Sequence, residues 1–217
     1  MHDAKLVWVT PDAEKVVGYC ARVSNPKNQN NPDVVGLLCY CIKHKHWSIF
    51  EMAHMCVEIT TTRAISSQIL RHKTASFQEF SQRYAAATTL DIPDLRRQDL
   101  KNRQNSIPDL DSELVSHFTD KIQNHFDSAI DLYYEMLDAD VAKECARAVL
   151  PMNTVTKVMM AAPLRTWLHY IALRSANGTQ EEHAQIARSC YKLLKQHCPN
   201  ICEAFFEKDP TDATSST

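Results

Sequence analysis

Residues 71–84 read RHKTASFQEFSQRY and form the densest polar cluster in the chain. Three fixed cations, one histidine and two serines stand there beside a single carboxylate, Glu79. Arginine suits phosphate because two parallel N–H donors match two oxygens, while Ser, Gln and Glu suit the polar edge of a heterocycle. The stretch predicts an anion-binding site. The alternative is that its cations only offset a helix C-terminus and cover a solvated face.

On the N-terminal side of this cluster, the pattern alternates short strands and helices. Thr10-Pro11 and Asn31-Pro32 are each typical of a helix start, with proline at the first helical position. Every second residue from Met55 to Thr61 is apolar or small, which predicts a strand. The predicted elements are a strand at 6–9, a helix from 10 to about 23, a helix from 31, a strand at 55–61 and a helix at 63–71.

On the C-terminal side, helix dominates. Residues 85–112 are polar and without periodicity, which predicts a long functional or mobile loop. Thr179 to Glu182 has the spacing of a capping box that opens a last helix with Ile186, Cys190 and Leu194 inward. The other predicted helices are a long amphipathic one from Leu114 to Tyr133, one at 141–149 and one at 164–175. We expect an α+β fold, helix-rich, as one domain with a small central sheet.

Two arginines stand in otherwise apolar surroundings. Arg174 continues the stripe formed by Leu164, Trp167, Leu168 and Ile171, so its guanidinium should be at least half-buried and need an anionic or strongly accepting partner. Arg147 lies in the apolar run CARAVLP. The alternative for Arg174 is a side chain that extends from the helix end to solvent.

Composition limits the classes of protein that remain. The net charge of −2 leaves no overall basic field for nucleic acid. No apolar stretch approaches the roughly 20 residues of a membrane helix and no segment resembles a signal peptide, so we expect a soluble, cytoplasmic chain. Eight cysteines without a CxxC pair are expected to be reduced core residues.

The segment 44–51, HKHWSIFE, has a weak metal-binding pattern. His44 and His46 are two apart and Glu51 follows, but a metal would need further ligands. We expect no metal and interpret the segment as a ligand-facing loop or a plain helix end.

Taken together, these segments resemble the ThyX family of flavin-dependent thymidylate synthases. The family signature RHRxxSxNExSxRY is matched at 71–84, with Lys73 for arginine and Gln78 for asparagine. Further family elements follow the expected order over about residues 5 to 207: ARVS at 21–24, the KHGHxTPFEH loop at 44–51, ARxxLPxN at 146–153 and LR at 173–174. The resemblance implies a ThyX-like domain at 1–208, followed by a disordered tail at 209–217.

The resemblance also implies an activity. Members methylate dUMP to dTMP with 5,10-methylenetetrahydrofolate as one-carbon donor and FAD reduced by NADPH, and they yield tetrahydrofolate from homotetramers with shared active sites. The implied catalytic residue is Arg174. The implied dUMP-binding residues are Gln68, Arg71, Glu79, Ser81, Arg83, Arg147 and Arg174. The implied FAD-binding residues are Ser24, His46, Ser48, Glu51, Arg71, His72, Lys73, Glu79, Arg165 and His169.

Two other classes compete with this interpretation. A nucleic-acid-binding module could use residues 71–83 with the basic loop 96–103, although Glu79 and the net charge disfavour it. A purely structural helical protein would bind no ligand. Thymidylate synthases without flavin use a cysteine nucleophile, but no cysteine lies in the 71–84 cluster.

Overall fold

The computed structural model describes residues 1–86, 88–206 and 209–211, and its fold class is α+β, as expected. The strands are β1 Asp3–Val9, β2 His54–Thr62, β3 Ser76–Glu79, β4 Arg97–Gln98, β5 Ser106–Ile107 and β6 Val155–Pro163. The α-helices are α1 Ala13–Ala21, α2 Val35–Lys43, α3 Arg63–Ile69, α4 Ser112–Asp138, α5 Lys143–Ala146, α6 Leu164–Arg174, α7 Glu181–His197 and α8 Pro199–Phe205. Short 3₁₀ turns occupy Pro26–Asn28, Trp47–Glu51 and Arg147–Val149.

The main sheet has four strands in the order β1-β2-β6-β3. The expected strand at 55–61 is confirmed, because Met55, Val57, Ile59 and Thr61 are all fully buried. The sequence interpretation missed β6, where Thr156, Val158, Met160 and Ala162 alternate inward. A second, two-stranded antiparallel ladder of β4 and β5 lies within the predicted loop 85–112, with Arg97 opposite Ile107.

The chain divides into two compact units whose sequence ranges alternate. The first unit comprises residue 1 and the ranges 60–71 and 79–158, and the second comprises 2–59, 72–78 and 159–217. Strands β2 and β6 each contribute residues to both units. One domain over 1–208 therefore stays a prediction.

In the second unit, α6, α7 and α8 supply much of the apolar interior. The predicted inward residues Leu164, Trp167, Leu168, Ile171, Ile186, Cys190 and Leu194 are all fully buried. Trp167 donates its indole N–H to the carbonyl of Met55 at 3.0 Å, so the one polar atom of this large side chain is satisfied. Gly18 of α1 lies against Val34, whose Cγ1 would be only 2.3 Å from an added Cβ.

In the first unit, α4 is the longest element. Asp111 caps it, accepting hydrogen bonds from the backbone N–H groups of Glu113 and Leu114. Phe126, Ala129 and Tyr133 of its C-terminal half are buried, whereas Leu114 and Phe118 are each 46% exposed. The predicted amphipathic helix is confirmed, but only half of its apolar stripe is covered within the described chain.

Three predicted helix starts differ from the structure. The helix predicted from Asn31-Pro32 begins only at Val35, with Val34 as its N-cap. The N-cap of α7 is Gln180, whose side chain makes no capping hydrogen bond, and the Thr179 hydroxyl donates to the carbonyl of Leu173. The capping box is therefore wrong. Thr10 also fails to cap α1, since its hydroxyl and backbone bond to the backbone of His54 in β2. For the two threonines, a long-range partner or a preceding turn uses the hydroxyl that local spacing assigned to the cap.

The predicted tail begins at 209. Asp209 accepts hydrogen bonds from Tyr191 and Lys195 of α7, at 3.2 and 2.8 Å. Residues 212–217 lie outside the described residues, and for them the disordered tail stays a prediction. Within the described ranges, none of the helices has the length and apolar character needed to cross a membrane.

Candidate functional site

In the first unit, Glu79 is the centre of a polar network. Its Oε1 accepts hydrogen bonds from the hydroxyls of Ser66, at 2.5 Å, and Thr156, at 3.1 Å. Its Oε2 lies 3.1 Å from Nη1 of Arg63, whose Nη2 donates to the carbonyl of Phe80. The Arg63 and Glu79 side chains are only 22% and 18% exposed. Residues of α3 and β6 thus fix the start of segment 80–84, and Glu79 has an anchoring role that the sequence pattern did not predict.

Segment 81–84 lines a cavity in the same unit. This cavity has a volume of about 400 Å³, and its lining residues are Ser81, Arg83, Tyr84, Ala142, Lys143 and Glu144. Two predicted substrate-binding residues, Ser81 and Arg83, are therefore brought together with the start of α5. Nη2 of Arg83 lies 2.9 Å from Oε2 of Glu144, and both side chains are more than half exposed. Lys143 adds a second cation that the sequence interpretation did not assign.

Two other arginines of this unit that were predicted to bind dUMP have guanidinium groups without a bonded partner among the described residues. Arg71 follows α3 and is exposed, and Arg147 begins a 3₁₀ turn and is half-buried. Neither side chain makes a hydrogen bond or ion pair within the described part of the chain. Gln68, three residues before Arg71, is half-buried and already has a polar interaction. Guanidinium groups without an ion-pair partner suit an anionic ligand.

In the second unit, a partly exposed aromatic cluster lies near a salt bridge. Trp47 contacts His169, with 5.0 Å between ring centroids, and both contact Phe205 at 5.7 to 5.8 Å. Nη1 of Arg165 lies 2.9 Å from Oε1 of Glu51, so two predicted cofactor residues pair with each other. Burial, followed by the charge of Arg165, lowers the pKa of His169 and favours a neutral ring.

The remaining predicted cofactor residues of this unit are exposed or half-buried donors. Ser24, Ser48 and Lys73 are exposed, and their side chains make no hydrogen bond or ion pair within the described ranges. His46 packs edge-on to Tyr40, with 5.8 Å between ring centroids. Among the described residues no group of three metal-ligating side chains is placed to hold an ion.

The second unit also holds Arg174 in a defined setting. Its Nε donates to Nε2 of His72 at 3.0 Å, and the guanidinium is half-buried, as the apolar stripe predicted. The partner is a neutral imidazole instead of an anion. Burial and then the charge of Arg174 lower the pKa of His72.

Sequence reasoning missed the pair behind His72. His183 of α7 is fully buried and its Nε2 lies 3.2 Å from the Tyr170 hydroxyl. Burial first, then Arg174 and His72, lowers the pKa of His183 to about 3, so the ring is neutral at physiological pH. No pattern in the sequence indicates that His72, Tyr170 and His183 lie together, because they come from three separate segments of the chain.

The residues of the second unit fit a flat, anionic cofactor such as FAD. The exposed edges of Trp47 and His169 offer an apolar aromatic face, and Lys73, Ser24 and Ser48 offer uncommitted donors. A heteroaromatic ring with phosphates needs an aromatic surface and free donors, and this unit supplies both types of group.

All eight cysteines are free, and five of them are buried. Burial raises the pKa of Cys41 and Cys56, and it raises that of Cys198 to about 12. A buried thiol with a raised pKa is a poor nucleophile. None of the eight lines the cavity, which argues against cysteine catalysis at this site.

Comparison with known proteins identifies the family of the chain. The family model of the thymidylate synthase complementing protein matches residues 5–200. The flavin-dependent thymidylate synthase of Synechocystis is 48% identical over 191 residues, with 88% of each chain covered. A probable flavin-dependent thymidylate synthase of Paramecium bursaria Chlorella virus 1 is 44% identical over 210 residues, covering 93% of this chain and 97% of the viral one.

A solved structure has the same fold. The crystal structure of the UMP/dUMP methylase PolB from Streptomyces cacaoi, bound with 5-Br dUMP, superposes with a TM-score of 0.86 at 24% identity and covers 97% of this chain and 96% of that one. The family match over residues 5–200 and the relatives at 48% and 44% identity lead to one conclusion. The chain belongs to the thymidylate synthase complementing protein family, whose relatives here are named flavin-dependent thymidylate synthases.

Proposed function

We propose that this chain is a flavin-dependent thymidylate synthase that methylates dUMP to dTMP. The observation that carries the proposal is the cavity of about 400 Å³ that brings Ser81 and Arg83 to the start of α5. A hydroxyl and two cations around one concave surface match a nucleotide monophosphate, whose dianion pairs well with a guanidinium fork.

The dUMP-binding set that we propose comprises Gln68, Arg71, Glu79, Ser81, Arg83, Arg147 and Arg174. Within the first unit, Arg71 and Arg147 are unpaired guanidinium groups among the described residues, so they can neutralise phosphate without first breaking an ion pair. Glu79 is already bound by three side chains, and its part is to hold segment 80–84 in place.

Arg174 is the residue to which we assign the catalytic role. C5 of uracil is a poor nucleophile unless the ring carries enolate-like charge. A half-buried guanidinium directed at N3 and the adjacent carbonyl stabilises that charge in the transition state. Because His72 engages only Nε, the four N–H groups of Nη1 and Nη2 stay available for the pyrimidine.

FAD is proposed to bind Ser24, His46, Ser48, Glu51, Arg71, His72, Lys73, Glu79, Arg165 and His169. When bound and reduced, FAD supplies the reducing equivalents that complete the methyl group. NADPH is the proposed reductant and 5,10-methylenetetrahydrofolate the one-carbon donor, with tetrahydrofolate as the folate product. A homotetramer with shared sites gives several large ligands more concave surface than one small chain offers.

Free cysteines throughout the chain agree with a reducing compartment, and we propose that the enzyme acts in the cytoplasm. Nucleic acid is not a proposed partner. In the basic loop, Arg97 makes a two-bond ion pair with Asp109, at 2.9 and 2.7 Å, so its charge is neutralised within the loop.

The test is FAD binding followed by dUMP titration. Purified protein is reconstituted with FAD, passed over a gel-filtration column and recorded by absorbance. We expect about one FAD per chain and a change in the flavin spectrum that saturates with dUMP and is absent with deoxyuridine, which lacks only the phosphate. A colourless protein, or a spectrum indifferent to dUMP, contradicts the proposal.

A further inference from the structure

The hydrogen bond between Arg174 and His72 fixes the protonation state of the histidine. Arginine keeps its proton in proteins, so Nε of Arg174 is the donor and Nε2 of His72 the acceptor, at 3.0 Å. An imidazole that accepts at Nε2 is neutral and carries its hydrogen on Nδ1. The contact therefore requires one tautomer of one charge state.

The His72 ring is held by buried neighbours. Tyr170 packs edge-on against it, with ring centroids 4.8 Å apart and an angle of 84° between planes. Tyr170 is 2% exposed and its hydroxyl lies 3.2 Å from Nε2 of His183, which is fully buried. A ring packed against a buried, hydrogen-bonded pair cannot turn freely. The acceptor atom is thus fixed in position before any ligand arrives.

We infer that His72 is a positioning residue for Arg174: its neutral imidazole anchors Nε and so aims the Nη groups at the pyrimidine. This role rests on the proposed function, since Arg174 is the catalytic residue there. It is distinct from any contact of His72 with the cofactor. Misplacing a catalytic group by about 1 Å typically costs on the order of 10²-fold in rate.

Charged groups around His72 disfavour its protonated form. On its own segment the sequence neighbours are Arg71 and Lys73, and on α6 it faces Arg174. The titratable groups behind it are Tyr170, His183 and Cys190; burial raises the pKa of Tyr170 and Cys190 and lowers that of His183, so these groups stay neutral. Protonation of His72 would replace an acceptor with a donor facing a guanidinium, and Arg174 would lose its anchor.

Two variants separate positioning from general structure. His72→Phe keeps an aromatic ring against Tyr170 but removes the acceptor, and His72→Gln offers an amide oxygen in its place. We expect His72→Phe to lower kcat by about 10- to 100-fold, with the KM for dUMP within about threefold of wild type. His72→Gln should recover part of that loss. His197→Phe, at the exposed end of α7, is the matched control and should turn over like wild type.

The direct readout is independent of turnover. Nitrogen NMR of the protein without substrate should show Nε2 of His72 unprotonated and Nδ1 protonated at pH 7, with a slowly exchanging Nε–H signal for Arg174 that His72→Phe abolishes. In wild type, log kcat should fall as the pH is lowered. In His72→Gln this fall at acid pH should be absent.

The outcomes distinguish the two claims. If the NMR pattern is found but wild type does not methylate dUMP, the proposed function fails while the hydrogen bond stands. If wild type methylates and folded His72→Phe matches its kcat, the positioning role is overturned. A protonated Nε2 in wild type, or an unchanged Arg174 signal in both variants, overturns it equally.

Discussion

Arg83 and Glu144 form an ion pair at the wall of the cavity, with 2.9 Å between Nη2 and Oε2. Glu144 is the one carboxylate among the six residues that line this cavity. A phosphate dianion that enters must compete with it for the guanidinium. Because both side chains are more than half exposed, the pair itself contributes little to stability.

The first prediction follows from this competition. Glu144→Gln should lower the KM for dUMP by about two- to fivefold at low ionic strength, because Arg83 then meets the phosphate without a competing carboxylate. Steady-state kinetics at several salt concentrations measure it. Glu113→Gln, at the exposed start of α4, is the control and should leave KM unchanged. A KM that rises in Glu144→Gln would show that the carboxylate assists binding.

Glu79 should matter for stability as much as for binding. Its carboxylate accepts from Ser66 and Thr156 and pairs with Arg63, and both charged side chains are less than a quarter exposed. Glu79→Gln should lower the free energy of unfolding by about 1–3 kcal/mol, because Arg63 is left half-buried without its counter-ion. Urea unfolding followed by circular dichroism measures it, with Thr156→Val as a milder case that removes one hydrogen bond. Loss of dUMP binding at unchanged stability would show that Glu79 acts as a ligand contact alone.

Acid should destabilise the protein through its buried histidine. The pKa of His183 is about 3 in the folded state and near 6.5 when exposed. Between these values the unfolded chain binds a proton that the folded chain does not, so stability falls as pH decreases. From pH 7 to pH 5 we expect a loss of about 1–2 kcal/mol from this group, with His72 and His169 acting in the same direction.

Urea unfolding of wild type and His183→Gln at pH 7 and pH 5 tests that linkage. The variant is expected to be less stable at pH 7, because it changes a buried side chain next to Tyr170, but to lose less on acidification. If wild type and variant lose the same free energy of unfolding between pH 7 and pH 5, the acid sensitivity belongs to other groups.

Shared active sites are tested by mixing two inactive variants. We expect Arg83→Ala and Arg174→Ala to be inactive alone and to regain part of the activity when mixed under conditions of subunit exchange, because hybrid sites then hold both arginines intact. Light scattering and mass-labelled subunits establish assembly and exchange. An active monomer, or a tetramer that exchanges without recovering activity, would place both arginines in a site made by one chain.

Much of the fold follows from periodicity in the sequence. The inward faces of α6 and α7 and the strand around Val57 were predictable because apolar side chains recur at the helical or strand spacing. β6 was missed although Thr156, Val158, Met160 and Ala162 alternate, since methionine and alanine favour helix as residue types. The capping box predicted at Thr179 was wrong, because the turn before α7 uses the hydroxyl that the local spacing assigned to the cap.

For the candidate site, the residues involved were predictable from the sequence, but the contacts between them were not. The apolar stripe of α6 indicated a half-buried Arg174, yet nothing local indicated that its partner is His72, 102 positions away. Glu79 stood out as the single carboxylate of a basic cluster, whereas its anchoring by Thr156 depends on an unpredicted strand. Lys143 and Glu144 belong to no recognisable motif. They line the cavity only because the fold brings the start of α5 to segment 81–84.

The most direct measurement of the central claim is the pair of products formed from dUMP. Protein loaded with FAD is incubated anaerobically with NADPH, dUMP and 5,10-methylenetetrahydrofolate, and nucleotides and folates are separated by chromatography. We predict dTMP and tetrahydrofolate in equal amounts, with formation dependent on FAD and greatly reduced in Arg174→Ala. Dihydrofolate as the folate product, or dTMP formed equally well without flavin, would contradict the account.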